Sequence, residues 1–398
     1  MKILVTGNGF DISYGLPTRY LDFINTLNLL RQNPIGNLNG LYDTYFWNKL
    51  FKHQLGVETY NIVLIEELQK KLNNVWYNFF SDQLEIDTWI DFESKLENAL
   101  IRLDEQVNYI KSNLFVADND IYLTFPIDKH IGFNSNKFQL LETFDLISKH
   151  HEFGDSFILS SKYCKLNSKA NAYCEFNEDA FYNFLIDQWE SFIQLFNDYI
   201  EIFVNPLINT IEMQNVILVD RHFTFNYTNT YEKVLHSGVK TNHLHGRISE
   251  SKNLVLGFDH FGYEKLSKNI IPFTKGFQRL NKDSDYKFLK YLETNSHDLT
   301  VLFLGHSLDI SDKKYIDEVI DLISDKIKGR KGTLKIFYHS SKNELIKNLC
   351  NIYGIDTIED LMSRQKIEFF KSDVGVMERE LKFVDNKKRF TSQILSNL

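Results

Sequence analysis

The sequence contains few cysteines and no long run of apolar residues. Of its 398 residues only three are cysteines, and Cys164, Cys174 and Cys350 lack any paired spacing. They exclude a four-cysteine zinc site and argue against a disulfide framework, so we expect no zinc and a reducing cytoplasm. No apolar stretch approaches the roughly 20 residues that a membrane-spanning helix needs. The apolar run after Lys2 breaks at Gly7, so we expect neither a secretory signal nor a membrane partner.

An excess of positive charge is also missing. Lysine and arginine number 45 against 53 aspartates and glutamates, which gives a net charge of −8. A surface that binds nucleic acid needs a basic face, and the one basic segment, residues 326–335, lies between a predicted helix and a predicted strand. We interpret this segment as a solvated loop and expect no nucleic-acid partner.

The clearest motif opens the chain. Strand-forming residues at 3–6 end at Gly7-Asn8-Gly9, and a buried strand followed by a glycine turn begins many nucleotide sites. Glycine has no Cβ, so the backbone can approach a pyrophosphate closely, and N–H groups at a helix start can bind it. The third glycine of the dehydrogenase fingerprint is replaced by Ile12, which disfavours a plain dehydrogenase. A tight turn without any ligand remains the alternative.

Strand and helix signals alternate only near the two ends of the chain. After residue 215 the apolar runs predict strands at 216–219, 222–226, 241–245, 254–256, 299–304, 333–338 and 367–370. Residues 41–214 show mostly helical spacing and no strand-turn phosphate motif. We therefore predict an α/β fold with a Rossmann-type parallel sheet built from residues 1–30 and 215–375. A helical insertion domain, 31–214, and a C-terminal tail, 376–398, complete the predicted organisation.

Segments with polar residues lie at the ends of three of the predicted strands. They are Thr224–Thr228, His243–Gly246 and Gly305–Asp309. In an open parallel sheet the carboxyl ends of the strands line the ligand crevice. Together with the opening turn, these segments predict one shared site.

Two groups of residues leave alternatives open. His243 and His245 lie two apart on a predicted strand and face the same side, so with His306 they can in principle hold a metal; no carboxylate completes a recognised ligand set. His245 alone is either a general base or a core histidine bonded to backbone. Asp91 and Glu93 open a helix, where they either favour the helix dipole or contribute to a site.

The opening motif also resembles a known family. The start of the chain resembles the opening of the abortive-infection AbiH family of bacterial phage-defence proteins. The matching pattern is Gly7-Asn8-Gly9-Phe10-Asp11, three residues, Gly15-Leu16-Pro17-Thr18, one residue and then Tyr20. The resemblance extends to the Trp89-Ile-Asp91-Phe92-Glu93 pattern and covers nearly all of the chain. It implies an antiviral effector in the cytoplasm that a phage-derived trigger activates. The trigger and any homo-oligomer are left open.

The opening motif and several later segments are also similar to motifs of the sirtuins. Asn226, His245-Gly246 and Gly305-His306-Ser307-Leu308 match the sirtuin asparagine, His-Gly and Gly-Thr-Ser-Leu motifs. This resemblance implies a sirtuin-like sheet with a large helical insertion and hydrolysis of NAD to nicotinamide and ADP-ribose. The chain departs from sirtuins at Thr228, where they have aspartate, at Thr18-Arg19-Tyr20, and in lacking the zinc cysteines.

These residues suit cleavage of a glycosidic bond. Asn226 would orient the ribose hydroxyls or the attacking water, His245 would be the general base, and Asp11 would bind a hydroxyl or stabilise positive charge. The remaining residues expected to bind NAD are Gly7, Asn8, Gly9, Phe10, Gly15, Pro17, Thr18, Thr228, Gly246, Gly305, His306, Ser307 and Asp309. Two alternatives are a nucleotide-binding phage sensor or toxin without NAD hydrolase activity, and an interaction protein with a vestigial crevice.

Overall fold

A computed structural model of the chain shows a parallel sheet packed against helices. It describes residues 1–32, 60–83, 86, 88–112, 115–116, 123–124, 139–149, 157–167, 172–211, 215–216, 219–234, 238–248, 253–260, 266–282, 288–289, 298–324, 331–339, 341–372 and 384–385. Its helices are α1 (Asn8–Ser13), α2 (Tyr20–Gln32), α3 (Ile62–Lys70), α4 (Val75–Ser81), α5 (Trp89–Ser112), α6 (Gln139–Thr143), α7 (Glu178–Tyr199), α8 (Asn205–Thr210), α9 (Thr230–Val234), α10 (Lys275–Asn281), α11 (Lys313–Ile323), α12 (Lys342–Tyr353) and α13 (Ile355–Ser363).

The strands form one large sheet and several small ones. In chain order they are β1 (Lys2–Thr6), β2 (Phe115–Val116), β3 (Leu123–Thr124), β4 (Ile147–Lys149), β5 (Phe157–Leu159), β6 (Cys164–Asn167), β7 (Ala172–Phe176), β8 (Asn215–Val216), β9 (Arg221–Thr224), β10 (Thr241–His243), β11 (Asp298–Leu304), β12 (Lys331–Tyr338), β13 (Ile367–Lys371) and β14 (Val384–Asp385). Six of them form the main sheet in the order β10-β9-β1-β11-β12-β13, and all its pairings are parallel. The predicted α/β class with a parallel sheet is confirmed.

The first strand lies inside this sheet. β1 pairs with β9, with Ile3 opposite Arg221, and with β11, with Lys2 opposite Thr300. Ile3, Leu4 and Val5 are completely buried, as expected for a strand covered on both faces. The opening strand therefore joins strands that come much later in the sequence. The boundaries of the predicted discontinuous domain, insertion and tail stay a prediction.

The helices of the middle region bury aromatic side chains around α7. Asn177 caps this helix, since its side chain accepts a hydrogen bond from the backbone N–H of Ala180. Aromatic side chains of α7 recur at helical spacing and pack on aromatic rings of α4 and α5; Phe92 of α5 stacks on both Trp189 and Phe192. A π-helical turn, Ile200–Val204, continues α7 into α8. These aromatic side chains of α7 are thus core, as their spacing indicates.

Three segments differ from their sequence-based assignments. The apolar run 254–256 is not a strand; the Val255 N–H bonds to the His245 carbonyl and the Leu256 N–H to the Gln278 side chain. Within the predicted strand 216–219, Val216 belongs to β8, which pairs antiparallel with β14 outside the main sheet, and residues 217–218 lie outside the described part of the chain. Short antiparallel strands β2–β7 also interrupt the region predicted to be mostly helical. A short buried run has the same apolar pattern in a strand and in an ordered loop, and this ambiguity explains the first error.

Among the described helices, none combines the length and the apolar character required to cross a membrane.

Candidate active site

A cavity of about 250 Å³ opens at the carboxyl edge of β1, β9 and β11. One wall comes from the ends of the sheet strands and the other from α5, α7 and α10, so the site lies between the sheet and the helices. The lining residues are Gly7, Asn8, Gly9, Asp11, Thr18, Thr88, Trp89, Ile90, Glu93, Phe196, Ile200, Phe225, Asn226, Tyr227, Thr228, His245, Lys275, Gly305, His306, Ser307, Ser311 and Asp312. The structure thus brings together most of the residues that sequence patterns single out.

The glycines of the opening turn serve first to join two loops. The Gly9 N–H donates to the Gly305 carbonyl at 2.8 Å, and the Gly7 N–H donates to the Leu304 carbonyl at 3.1 Å. The Phe10 N–H bonds within the turn to the Gly7 carbonyl at 2.9 Å. A Cβ on Gly305 would lie 2.2 Å from the Phe10 nitrogen, so only glycine fits. These three N–H groups are therefore already engaged, and fewer donors remain for a pyrophosphate than the sequence pattern predicts.

This close approach gives a first prediction. Gly305 has φ +68° and Gly354 has φ +82°, but a Cβ on Gly354 would meet nothing within 4 Å. Both Gly305→Ala and Gly354→Ala strain the backbone, while only the first also drives a side chain into the opening turn. We expect Gly305→Ala to be less stable than Gly354→Ala by about 1–3 kcal/mol, measured by urea denaturation. Equal losses in the two variants would show that the loops are not tightly packed.

Asp11 is a buried carboxyl group with one oxygen unpaired. Its side chain is only 1% exposed, and Thr228 Oγ1 donates to Oδ2 at 2.6 Å. Among the described residues, Oδ1 has no hydrogen-bond partner. Burial raises the pKa of Asp11 to about 6, although the hydrogen bond from Thr228 and the nearby Thr230 hydroxyl and Asn226 amide oppose the shift. A buried acceptor left unpaired beside a cavity is positioned to bind a donor or a positive charge.

The raised pKa of Asp11 predicts a pH-dependent stability. The folded protein binds this proton more tightly than the unfolded chain, so the stabilisation is complete below about pH 4 and is lost as pH rises through 6. Asp11→Asn removes the titration and keeps an acceptor for Thr228. We expect the variant to exceed the wild type in stability above pH 6, by on the order of 3 kcal/mol. Denaturation at pH 4 and pH 7 measures this difference, and Asp187→Asn, at an exposed aspartate, is the control. If Asp11→Asn and the wild type differed in stability by the same amount at both pH values, burial would not destabilise the ionised carboxylate of Asp11.

Asn226 lies directly after β9 and is held by its backbone. Its N–H donates to Thr224 Oγ1 at 3.0 Å, and its carbonyl oxygen lies 3.0 Å from His243 Nδ1. Its side chain lines the cavity near Asp11 and lowers the pKa of that carboxyl group. Because the backbone contacts fix the strand end, the amide has a defined orientation in the site.

The histidines that were considered as metal ligands do not converge. β10 ends at His243 and the chain then turns, so strand alternation no longer places His243 and His245 on one side. His243 bonds to the Asn226 carbonyl and lies 3.6 Å from Glu232, whereas His245 and His306 line the cavity. Within the described ranges no group of three potential ligands is arranged to hold a metal ion.

His245 is a neutral imidazole whose Nε2 atom faces the cavity lining without a hydrogen-bond partner among the described residues. The residue is 6% exposed. Burial lowers the pKa of His245 well below its usual value, and the charges of Lys275 and Arg279 add to this effect. Asp312 Oδ1 lies 3.7 Å away and opposes it. The imidazole is therefore unprotonated at neutral pH, as a general base requires.

Two functional residues of the cavity, Lys275 and Asp312, have no assigned role in the sequence analysis. Lys275 is 2% exposed, and its Nζ lies 2.7 Å from Glu93 Oε1 and 3.8 Å from Asp312 Oδ1. Burial lowers the pKa of Lys275, but the carboxylates of Glu93 and Asp312 outweigh burial and hold it above its usual value. Burial raises the pKa of Glu93 to about 8, with Lys275 opposing the shift. A lysine at the start of a polar helix gives no local signal of such burial.

Asp312 also contacts a histidine. The Leu308 N–H donates to His306 Nδ1 at 2.9 Å, which leaves the ring proton on Nε2. That Nε2 lies 3.3 Å from Asp312 Oδ2. Burial raises the pKa of Asp312, but Lys275 and His306 outweigh it and hold the pKa well below its usual value. Asp312 is thus an ionised carboxylate in the cavity wall.

Several predicted nucleotide-binding residues lie outside the cavity lining. Phe10 is buried against Tyr14, and Gly246 has φ +81° where a Cβ would meet the Asn253 carbonyl at 2.1 Å. Asp309 accepts from the Ser311 N–H and caps the following turn. Their role in binding a nucleotide stays a prediction.

The Gly15–Thr18 turn contacts the helices more than the cavity. The Tyr199 hydroxyl donates to the Pro17 carbonyl at 2.6 Å. The Thr18 carbonyl accepts from the Trp89 indole at 2.9 Å and from the Asn8 side chain at 3.1 Å. Of this turn only Thr18 lines the cavity, and Gly15 and Pro17 do not. The Gly15–Thr18 turn therefore connects the start of the chain to α5 and α7 through hydrogen bonds.

Comparison with known proteins supplies the family. A family model described as "Bacteriophage abortive infection AbiH" matches residues 3–330, a range that includes every residue lining the cavity. No curated protein and no solved structure matches the chain. The matched range covers most of the 398 residues, including the opening turn and the strand ends on which the resemblance was based. The chain therefore belongs to the bacteriophage abortive infection AbiH family and acts in abortive-infection defence against phage.

Proposed function

We propose that this defence protein hydrolyses NAD to nicotinamide and ADP-ribose in the cavity at the sheet edge. The observation that supports this most is the convergence of three groups in one buried site. Asp11 has an unpaired carboxyl oxygen, the Asn226 amide reaches toward it, and His245 is a neutral imidazole with a free Nε2. These are the groups that cleavage of a ribosyl bond requires.

Asp11 suits the first part of the reaction. The nicotinamide ring of NAD is a cation, so when the C1′–N bond breaks its electron pair stays with the ring, and neutral nicotinamide leaves without needing an acid. Positive charge then develops on the ribose, as in other glycosidic cleavages. An ionised carboxylate in a site shielded from water stabilises that charge. Asp11 is 1% exposed and is ionised above its pKa of about 6, so it meets this requirement at neutral pH.

His245 and Asn226 suit the second part. A water oxygen bonds to C1′ while one of its protons passes to the imidazole, which later returns it to solvent. The products are therefore nicotinamide, ADP-ribose and one proton. The Asn226 amide would orient the water or a ribose hydroxyl, and its fixed backbone limits the entropy lost in doing so.

The size of the cavity limits how much of NAD it encloses. A volume of about 250 Å³ is below the roughly 300–1,000 Å³ of typical small-molecule sites. The nicotinamide ribose would lie inside, and the adenosine end would extend along the rim, where Ser307 is exposed. Because an unregulated NAD hydrolase would harm its own host, we expect a phage-derived trigger to control the activity.

One observation favours a second candidate, a nucleotide-binding phage sensor or toxin without NAD hydrolase activity. Burial lowers the pKa of His245 well below its usual value, which makes its imidazole a weak proton acceptor and disfavours the hydrolytic step. In this alternative the same polar cavity binds a nucleotide without cleaving it.

NAD content during infection distinguishes the two candidates. Cells producing the wild type should lose NAD after infection and release fewer phage, and Asn226→Ala should abolish both effects. Asn229→Ala, which changes a nearby asparagine outside the cavity lining, should behave as the wild type. Phage protection with unchanged NAD would refute the hydrolase and favour the sensor or toxin.

A further inference from the structure

The cavity wall contains more acidic groups than the cleavage of a ribosyl bond needs. Its described lining residues include three carboxyl side chains, Asp11, Glu93 and Asp312, and one ammonium group, that of Lys275. Asp11 and Asp312 are 1% and 9% exposed. Each of the three carboxyl groups has one oxygen without a hydrogen-bond partner among the described residues.

Lys275 does not neutralise this wall. Its ammonium group is engaged by Glu93 at 2.7 Å and is farther, 3.8 Å, from Asp312. Even with Glu93 protonated, two carboxylates face one ammonium, and the imidazole of His245 adds no positive charge. Asp11 has only the neutral Thr228 hydroxyl as its direct partner at 2.6 Å. The wall therefore remains negative.

Unpaired carboxylate oxygens restrict what can enter. They only accept hydrogen bonds, and burying one without a partner is unfavourable. A ligand relieves this cost by bringing donors, such as ribose hydroxyls, or a positive charge. A phosphate brings neither and is repelled, so any phosphate of the ligand stays at the rim.

We infer that the inner cavity selects N-ribosides whose base is a heteroaromatic cation and discriminates against the same ribosides with a neutral base. The identity of the base as a pyridinium rests on the proposed function, whereas the selection by charge rests on the carboxylates alone. A unit charge a few ångströms from an unpaired carboxylate interacts by several times the thermal energy at an intermediate dielectric constant. We therefore expect a preference of about tenfold or more.

Nicotinamide riboside and its reduced dihydro form are matched probes, since they share size and ribose and differ in the charge of the ring. Calorimetric titration of the full-length wild type should give a dissociation constant about tenfold or more lower for the cation. Asp11→Asn and Asp312→Asn should each reduce this ratio by several-fold, because each removes one of the two carboxylates. Asp317→Asn, which removes a partly buried carboxylate of α11 outside the cavity, should leave it unchanged. Thermal melts establish that each variant is folded, and Asp11→Asn decides if Asp312→Asn does not fold.

Equal affinity for the two forms, tighter binding of the reduced form, or no binding of either would overturn the inference. Nicotinamide release from NAD, recorded in parallel samples of the same protein with and without extract of infected cells, separates it from the proposed function. Tight binding of the cation with no release in either condition would refute NAD hydrolysis and support charge selection. Release without charge preference would support hydrolysis and refute the selection.

Discussion

Replacing His245 by alanine should lower nicotinamide release by on the order of 100-fold or more and leave the protein folded. The imidazole lies in a turn beyond β10 and its Nε2 has no hydrogen-bond partner among the described residues, so its loss removes proton transfer without breaking a bond there. The measurement is kcat/KM for NAD in the presence of infected-cell extract. His339→Ala, at an exposed histidine beyond β12, is the matched control and should retain full activity.

The pH profile adds a check on the assignment. Burial holds the pKa of His245 well below its usual value, so the imidazole should stay unprotonated where activity begins to fall. Activity should fall below about pH 6, as Asp11 becomes protonated. Activity that persists in His245→Ala, or a profile that stays flat below pH 5, would show that the two residues do not act as assigned.

Replacing Lys275 by methionine should reduce the free energy of unfolding by about 3–5 kcal/mol. The change keeps the length of the side chain but leaves the carboxyl groups of Glu93 and Asp312 buried without their counter-charge. Lys313→Met is the control, because Lys313 pairs with Asp317 at the surface and such pairs contribute about 0–1 kcal/mol. Urea denaturation measures both variants.

A second substitution tests whether the loss comes from the ion pair. Asp312→Asn removes the ionised carboxylate that Lys275 faces, so combining it with Lys275→Met should recover part of the lost stability. Additive losses in the double variant would indicate that Lys275 acts through packing and not through its charge. A Lys275→Met loss as small as that of Lys313→Met would show that Lys275 is not a buried counter-ion.

The sequence permits a good prediction of the sheet edge because each strand end has a local pattern. A continuous apolar run followed by glycine or polar residues identifies β1, β9 and β11, and their carboxyl ends must meet in a parallel sheet. The presence of Asp11, Asn226 and His245 in one cavity follows from that rule. The role of the glycines in the opening turn could not be predicted from the sequence. A close approach of the backbone requires glycine whether the partner is a phosphate or, as here, the loop that contains Gly305.

The helical wall of the site could not be predicted in the same way. Asp91 and Glu93 look equivalent at a helix start, yet Asp91 accepts from the Thr88 N–H at 3.0 Å while Glu93 reaches Lys275. Neighbouring positions on a helix point in different directions, and only the packing of α5 on the sheet determines which one faces the cavity. The Glu93–Lys275 pair joins distant parts of the chain and has no sequence periodicity.

The most direct test of the account is to incubate the purified protein with NAD, with and without extract of phage-infected cells, and to quantify the products by chromatography. We expect nicotinamide and ADP-ribose in equal amounts from the wild type, and neither product from Asn226→Ala or His245→Ala. NAD that remains intact under both conditions, or that is cleaved at its pyrophosphate to give two mononucleotides, would contradict it.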